Sequence, residues 1–115
     1  MSVLIVDDHA GYRTQARRLL ESEGFAVVGE AGDAASALHA AAELRPDVVL
    51  LDVRLPDQDG FAVSALLADW PEPPLVVLIS SRDASAYRRR LAAGTARGFI
   101  AKSELTGASL AALVS

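Results

Sequence analysis

The chain has 115 residues, a length that suits one compact domain over residues 1–115. Its net charge of −4 argues against direct nucleic-acid binding, because the affinity for a duplex comes largely from neutralising its phosphates. It has no cysteine, so disulfides and thiolate metal sites are excluded. No secretory signal is recognisable at its start and no apolar run approaches the roughly 18 residues of a membrane span, so we expect a cytoplasmic protein without membrane contact.

Short apolar runs and longer helical patterns alternate along the chain. The runs are rich in Val, Ile and Leu and predict strands buried on both faces of a parallel sheet; they cover residues 3–6, 27–28, 48–51, 75–79 and 98–101. The helical patterns cover residues 10–23, 33–44, 60–69 and 84–93, and a last one begins near Glu104 or Leu105. Gly24 and Pro46 fit two helix ends, and Asp33 and Asp59 fit the capping positions of two helix starts.

This order of elements, β-α repeated five times, predicts an α/β fold in which helices cover both faces of a parallel sheet. For five strands the common doubly wound order is 2-1-3-4-5, the flavodoxin-like arrangement. The functional site of such a fold lies beyond the carboxyl ends of the strands, beside strands 1 and 3. The residues at that place are Asp7, Asp8 and Asp52.

These three carboxylates form the first candidate site. Asp7 and Asp8 directly follow the first predicted strand, and Asp52 follows the third. Because these strands are neighbours in the predicted sheet, the carboxylates converge, and their mutual repulsion favours a bound cation. All-oxygen ligands with room left for water and phosphate oxygens suit Mg²⁺. Each residue alone has a simpler interpretation, since Asp8 could cap the first helix and Asp52 could begin a loop.

Two other side chains are expected at the same edge of the sheet. Ser80 ends the fourth predicted strand, and Lys102 follows the fifth, directly after the apolar residues 99–101. A hydroxyl and an ammonium that face three carboxylates are suited to holding a phosphoryl group. Ser80 could instead be a turn hydroxyl and Lys102 a surface lysine, and Ser81 competes for the role of Ser80.

Four segments carry a family resemblance, in order along nearly the whole chain. They are LIVDDH at 4–9, VVLLDVRLPDQDG at 48–60, VVLISS at 76–81 and GFIAK at 98–102. On these segments the chain resembles the receiver domains of bacterial two-component response regulators, which share the fold of the chemotaxis response regulator. The segments VDDH and DVRLPDQDG are most similar to those of the subfamily that carries a helix-turn-helix output domain.

The resemblance implies a phosphoacceptor and a metal site. Asp52 would accept a phosphoryl group from a sensor histidine kinase. Asp7, Asp8, Asp52 and the backbone carbonyl of Arg54 would hold Mg²⁺. Such a domain is not a conventional enzyme, since it catalyses its own phosphorylation and slow dephosphorylation.

The resemblance also implies a conformational switch. Ser80 and Lys102 would bind the phosphoryl group, and Phe99 would turn inward as Ser80 moves. The surface formed by helix 4, strand 5 and helix 5 would then change and control an output, expected to be transcription through a DNA-binding domain outside this chain. The same surface could form a homodimer.

The end of the chain departs from the family pattern. Few residues follow Lys102, and the segment LTGASLAALVS at 105–115 has no charged residue, so the fifth helix would be short and almost without a polar face. Either the native protein continues past Ser115, or a partner covers this helix, or the end is poorly ordered.

Three other functions compete with a phosphorylated receiver. A pseudo-receiver would keep the fold as an interaction module without phosphorylation, although every family position is occupied here. A haloacid-dehalogenase-like phosphatase would carry a second acid two residues after its nucleophile, where this chain has Arg54. A flavodoxin-like FMN protein would need Ser, Thr and Gly where this chain has Asp7 and Asp8.

Overall fold

The structure, a computed structural model, describes residues 1–115 and contains five strands and five α-helices. In chain order they are β1 Ser2–Val6, α1 Ala10–Ser22, β2 Ala26–Ala31, α2 Ala34–Leu44, β3 Val48–Asp52, α3 Gly60–Ala68, β4 Leu75–Ser80, α4 Arg88–Ala93, β5 Gly98–Ala101 and α5 Gly107–Val114. Short 3-10 turns at Ala84–Tyr87 and Lys102–Glu104 precede α4 and follow β5. None of the helices combines the length and the apolarity needed to span a bilayer.

All five strands are parallel and lie in the order β2-β1-β3-β4-β5, which confirms the predicted topology. The register aligns Val6 of β1 with Leu51 of β3, and Asp52 with Ile79 of β4. Ser80 in turn pairs with Ala101 of β5. The last residues of four strands therefore end at one edge of the sheet, as a doubly wound sheet requires.

The strands are buried on both faces, which explains their continuous apolar sequence. All five residues of β3 are buried, and its side chains alternate between two core layers. The layer that contains Leu50 is covered by α1 and α5, through Leu20 and Leu110. The layer that contains Leu51 is covered by α2 and α3, with Val63 among the contacts.

Helix ends follow the capping residues that the sequence indicates. The Asp33 carboxylate accepts a hydrogen bond from the Ser36 N–H at 2.8 Å, and the Asp59 carboxylate accepts one from the Ala62 N–H at 2.9 Å. After α1, Gly24 adopts a φ of +94°, a conformation that glycine takes at little cost.

The last two helices differ from the prediction. A continuous helix was expected over residues 84–93, but its first turn is a 3-10 turn and α4 begins at Arg88. The expected start of the last helix near Glu104 or Leu105 is wrong, since α5 begins at Gly107. The reason is a capping box, in which the Thr106 side chain accepts from the Ser109 N–H and the Ser109 side chain accepts from the Thr106 N–H, each at 2.9 Å.

Candidate functional site

The three predicted carboxylates lie together at the carboxyl edge of the sheet. Asp7 follows β1 and is 0% exposed, and Asp52 ends β3 and is 4% exposed. The side chain of Asp8 is partly exposed at the rim. Ligand atoms of these three residues and of His9 all lie within 4.8 Å of one another. The convergence predicted from topology is therefore present in the fold.

The carboxylate of Asp8 does not cap the first helix, so that simpler interpretation is wrong. The cap position of α1 is His9, which makes no side-chain capping bond. The His9 N–H instead donates to Asp7 Oδ1 at 2.8 Å, and His9 Nδ1 lies 3.0 Å from Asp8 Oδ1. This leaves the Asp8 carboxylate free of any role in the helix and turned toward the cluster.

Lys102 carries the positive charge of the site. Its Nζ lies 2.5 Å from Asp7 Oδ2 and donates a hydrogen bond to Asp52 Oδ2 at 3.0 Å. The contact with Asp7 is the shorter of the two, so the buried Asp7 Oδ2 is in direct contact with the Lys102 ammonium. One ammonium is therefore shared between two buried carboxylates.

Burial and this ion pairing shift the pKa values of the paired groups. Burial raises the pKa of Asp52 above its ordinary value, although the Lys102 ammonium and the Arg54 N–H act in the opposite direction. Burial alone would lower the pKa of Lys102, but the Asp7 and Asp52 carboxylates outweigh it and the pKa is raised. Lys102 therefore remains an ammonium over the whole physiological pH range.

Tyr12 of α1 covers Lys102 from the side. The Lys102 Nζ lies 4.8 Å from the centroid of the Tyr12 ring, and the Tyr12 hydroxyl donates to the Lys102 carbonyl at 3.4 Å. Burial, followed by the charges of Asp7 and Asp52, raises the pKa of Tyr12 to about 12. The sequence analysis assigned Tyr12 no functional role. The only indication in the sequence is that this polar aromatic residue lies about one helical turn after Asp7 and Asp8.

Ser80 lies at the end of β4, is 1% exposed and faces the same edge, whereas Ser81 is exposed. The Ser80 Oγ accepts a hydrogen bond from the Arg82 N–H at 3.1 Å. It also lies 3.2 Å from the hydroxyl of Tyr87, which the sequence analysis did not single out. The ring of Phe99 is half-buried, and its centroid lies 6.0 Å from that of Tyr87.

The loop after β3 orients Asp52 from the other side. The Arg54 N–H donates to Asp52 Oδ1 at 3.1 Å, so each oxygen of this carboxylate has one donor. Asp57 spans to the neighbouring helix, where its carboxylate accepts from the N–H groups of Ala34 and Ala35 at 2.8 and 3.1 Å. The loop is thus fixed at both ends, and the orientation of the Asp52 carboxylate is fixed with it.

The donor set fits a hard divalent cation. Asp7, Asp8 and Asp52 supply carboxylate oxygens that lie within 4.8 Å of one another, and the two buried carboxylates among them share a single ammonium. Oxygen ligands of this kind, few enough to leave positions for water or phosphate oxygens, are those that Mg²⁺ takes in proteins. A single ammonium does not neutralise three carboxylates, so the cluster retains negative charge for a cation.

Solved structures with the same fold include receiver domains. The signal receiver domain of the response regulator NarL from Mycobacterium tuberculosis matches with a TM-score of 0.85 at 37% identity, over 97% of this chain and 94% of that one. A chain from the complex of CheX and CheY with BeF3 and Mg²⁺ from Borrelia burgdorferi matches with a TM-score of 0.82 at 28% identity, over 99% and 86% of the two chains.

A curated relative and a family match agree with these structures. The virulence-factor transcription regulator BvgA of Bordetella pertussis is 38% identical over 102 residues, which are 89% of this chain and 49% of BvgA. The chain thus spans about half the length of this relative. The response regulator receiver domain family matches residues 3–114. Together with the sheet order and the acidic edge, this match shows that the chain belongs to the receiver domains of two-component response regulators.

Proposed function

We propose that this chain is a phosphorylation-dependent signalling switch in which Asp52 accepts a phosphoryl group from a sensor histidine kinase. The observation that carries the proposal is the shared position of Lys102, whose Nζ lies 2.5 Å from Asp7 and 3.0 Å from Asp52. An ammonium held between a buried acceptor carboxylate and a second acid is suited to receive a phosphoryl dianion.

The chemistry requires a positioned carboxylate and little else from the protein. An Asp52 oxygen attacks phosphorus in line, an oxygen–phosphorus bond forms, and the bond to the imidazole nitrogen of the donor phosphohistidine breaks. The leaving imidazole takes up a proton from solvent. Asp52 already has one donor on each oxygen, Arg54 N–H and Lys102 Nζ, so its orientation is set before the donor arrives.

Mg²⁺ is the cofactor that we assign to the acidic cluster. Asp7, Asp8, Asp52 and the backbone carbonyl of Arg54 would hold it. When bound, it would neutralise negative charge on the transferred phosphoryl oxygens. Lys102 contributes a second positive charge from the protein itself, and Ser80 can donate one hydrogen bond.

The product changes the charge of a buried position, and this drives the switch. Phosphorylation adds about −1.5 to −2 charges at neutral pH. Ser80 then donates to the phosphoryl group, and Phe99 moves into the space that Ser80 leaves. The surface of α4, β5 and α5 repacks as a shift between two populations of one fold.

Transcription is the output that we infer. BvgA is a transcription regulator, and the chain matches only about half of its length. A helix-turn-helix domain outside this chain would therefore bind DNA, while the receiver, with its net charge of −4, would not. A homodimer through α4, β5 and α5 is the assembly that would couple phosphorylation to such an output.

The experiment is labelling with radioactive acetyl phosphate in the presence of Mg²⁺. The unsubstituted chain should be labelled, Asp52→Asn should not be, and chelation of Mg²⁺ should abolish labelling. A matched control is Asp69→Asn, which removes a carboxylate of the same kind from an exposed position at the end of α3. This control should be labelled like the unsubstituted chain.

Two outcomes contradict the proposal. Labelling that persists in Asp52→Asn would place the acceptor elsewhere. A folded chain that takes no label from acetyl phosphate, and binds no beryllofluoride with Mg²⁺, would be a pseudo-receiver that acts as an interaction module.

A further inference from the structure

A pair of hydroxyl groups links the end of β4 to the start of α4. The Ser80 Oγ and the Tyr87 hydroxyl lie 3.2 Å apart. We propose that Tyr87 is a positioning residue that holds the Ser80 hydroxyl away from the acceptor, so that Ser80 reaches a phosphoryl group only after this hydrogen bond breaks. The inference rests on the proposed function and adds a regulatory contact to it.

The hydrogen-bond inventory of Ser80 supports this assignment. A serine hydroxyl has one hydrogen to donate and two lone pairs to accept with. The Arg82 N–H already occupies one lone pair, at 3.1 Å, and Tyr87 is the only other hydrogen-bond partner of this buried oxygen. Either hydroxyl can be the donor of this bond, and Ser80 makes no hydrogen bond to Asp52, so the Ser80 oxygen is held by Arg82 and Tyr87 and not by the carboxylate.

Tyr87 is also the residue that anchors the segment before α4. Every other residue between Ser81 and Arg90 is exposed, and only Tyr87 is half-buried. Its ring packs between Phe61 of α3 and Phe99 of β5, with centroid distances of 5.8 and 6.0 Å and interplanar angles of 52° and 49°. The ring therefore fixes the position of the Tyr87 hydroxyl beside Ser80, and these ring contacts do not depend on the hydroxyl.

The same ring connects the contact to the switch aromatic. Phe99 can turn inward only if the rings packed against it move, and Tyr87 is one of them. Contacts of Arg90 also hold α4 against α3. The Arg90 guanidinium donates to the Asp59 carboxylate at 2.8 Å and lies 4.2 Å from the Phe61 ring centroid. Removing the Tyr87 hydroxyl alone therefore leaves α4 docked on α3.

The test is the affinity for beryllofluoride, a phosphoryl analogue, measured with Mg²⁺ by calorimetry on the unsubstituted chain and Tyr87→Phe. This substitution keeps the ring and deletes only the hydroxyl. In Tyr87→Phe the hydrogen bond between the two hydroxyl groups no longer has to be broken. This variant should therefore bind beryllofluoride about two- to tenfold more tightly, which corresponds to the net contribution of one hydrogen bond. Equal or weaker binding by Tyr87→Phe overturns the proposal.

A double-substitution cycle separates positioning from general packing. In a Ser80→Ala background the hydroxyl of Tyr87 has lost its partner, so adding Tyr87→Phe should no longer change the beryllofluoride affinity. An effect that persists in this background would show that Tyr87 acts through packing, and the proposal would be wrong. Thermal unfolding of each variant confirms that the compared proteins are folded.

The same titration distinguishes this proposal from the proposed function. If the unsubstituted chain binds beryllofluoride but Tyr87→Phe binds no more tightly, the receiver function stands and the hydroxyl contact does not restrain Ser80. If neither the folded unsubstituted chain nor Tyr87→Phe binds beryllofluoride with Mg²⁺, the proposed function itself fails and this inference with it.

Discussion

The ammonium of Lys102 lies 4.8 Å from the centroid of the Tyr12 ring. The hydroxyl of the same tyrosine donates to the Lys102 carbonyl at 3.4 Å. Tyr12 therefore contacts both ends of the lysine, and α1 helps to hold the ammonium between Asp7 and Asp52. Because the phosphoryl group of our proposal would be bound by Lys102, the tyrosine should influence its transfer.

Removal of the Tyr12 ring should slow labelling by acetyl phosphate. A cation–π contact contributes about 0.5–2 kcal/mol, so we expect Tyr12→Leu to be labelled roughly three- to thirtyfold more slowly. Tyr12→Phe keeps the ring and should remain close to the unsubstituted rate. The check is the initial labelling rate at fixed acetyl phosphate and Mg²⁺. Equal losses in the two variants would show that the hydroxyl, not the ring, is what matters.

Replacement of Lys102 should separate phosphoryl transfer from metal binding. Under our proposal, Lys102→Met removes a positive charge that contacts the phosphoryl group, so the labelling rate should fall by about 10²–10³. The same change removes a competing cation from Asp7 and Asp52, so Mg²⁺ affinity should stay level or rise. Asp8→Asn should instead weaken Mg²⁺ binding. Calorimetric titration with MgCl₂ makes the comparison, and weaker Mg²⁺ binding by Lys102→Met would contradict it.

Gly60 should tolerate no side chain. A Cβ at this position would overlap the carbonyl oxygen of Asp52 and lie 2.9 Å from the Val53 Cα, so backbone next to the acceptor would have to shift. We expect Gly60→Ala to lose about 1–3 kcal/mol of unfolding free energy and to be labelled more slowly. Urea unfolding and the labelling assay measure the two effects.

Gly11→Ala is the matched control for this substitution. Gly11 lies in α1, and a Cβ there would meet nothing within 4 Å. Alanine in a helix is favoured over glycine by about 0.5–1 kcal/mol, so this variant should be as stable as the unsubstituted chain or more so. A comparable loss of stability in the two variants would mean that crowding at Asp52 is not the cause.

Glu30 should make stability depend on pH in the acid range. The hydrogen bond from Arg17 is the main reason that the pKa of Glu30 lies below its ordinary value. Burial is the next largest effect and acts in the opposite direction, and the hydrogen bond from Arg13 adds to that of Arg17. A carboxylate with a lowered pKa in the folded state stabilises the fold above its ordinary pKa, and this contribution is lost as the pH falls through the folded value. Glu30→Gln should therefore unfold at a lower temperature near pH 7. The loss in unfolding free energy should be at most about 1 kcal/mol, since these ion pairs are partly exposed.

The difference should shrink as the pH falls below the ordinary pKa of a glutamate, and it should be lost once the pH passes below the lowered pKa of Glu30, where this carboxyl is protonated in the folded chain as well. Glu43→Gln is the control, because the Glu43 carboxylate and His39 are exposed and lie 3.9 Å apart. This control should unfold like the unsubstituted chain at each pH. A gap between Glu30→Gln and the unsubstituted chain that stays constant down to low pH would contradict the assigned pairing.

The fold and the main site residues could be predicted because both follow from where strands end. Asp7, Asp52 and Lys102 directly follow or end a strand, and in a parallel sheet those positions share one edge whatever the side-chain detail. Strand ends alone leave Ser81 as a competitor of Ser80, and the family resemblance favours Ser80. The structure agrees with that choice, since Ser80 is buried at the end of β4 and Ser81 is exposed.

Other features depend on tertiary packing and left only weak signals in the sequence. The contacts of Tyr12 and Tyr87 depend on how α1 and the segment before α4 lie against the sheet, which helical periodicity does not fix. The predicted start of α5 near Glu104 or Leu105 is wrong because no charged residue after Glu104 marks the boundary, and a capping box at Thr106 decides it.

The most direct test of the central claim is to find the labelled atom. The chain is incubated with acetyl phosphate and Mg²⁺, the acyl phosphate is reduced with borohydride, and peptides are sequenced by mass spectrometry. The proposed function predicts that the reduced product, homoserine, stands at position 52 and nowhere else. Homoserine at Asp7, Asp8 or Asp57 with an intact Asp52, or no reduced residue in a folded chain, would contradict it.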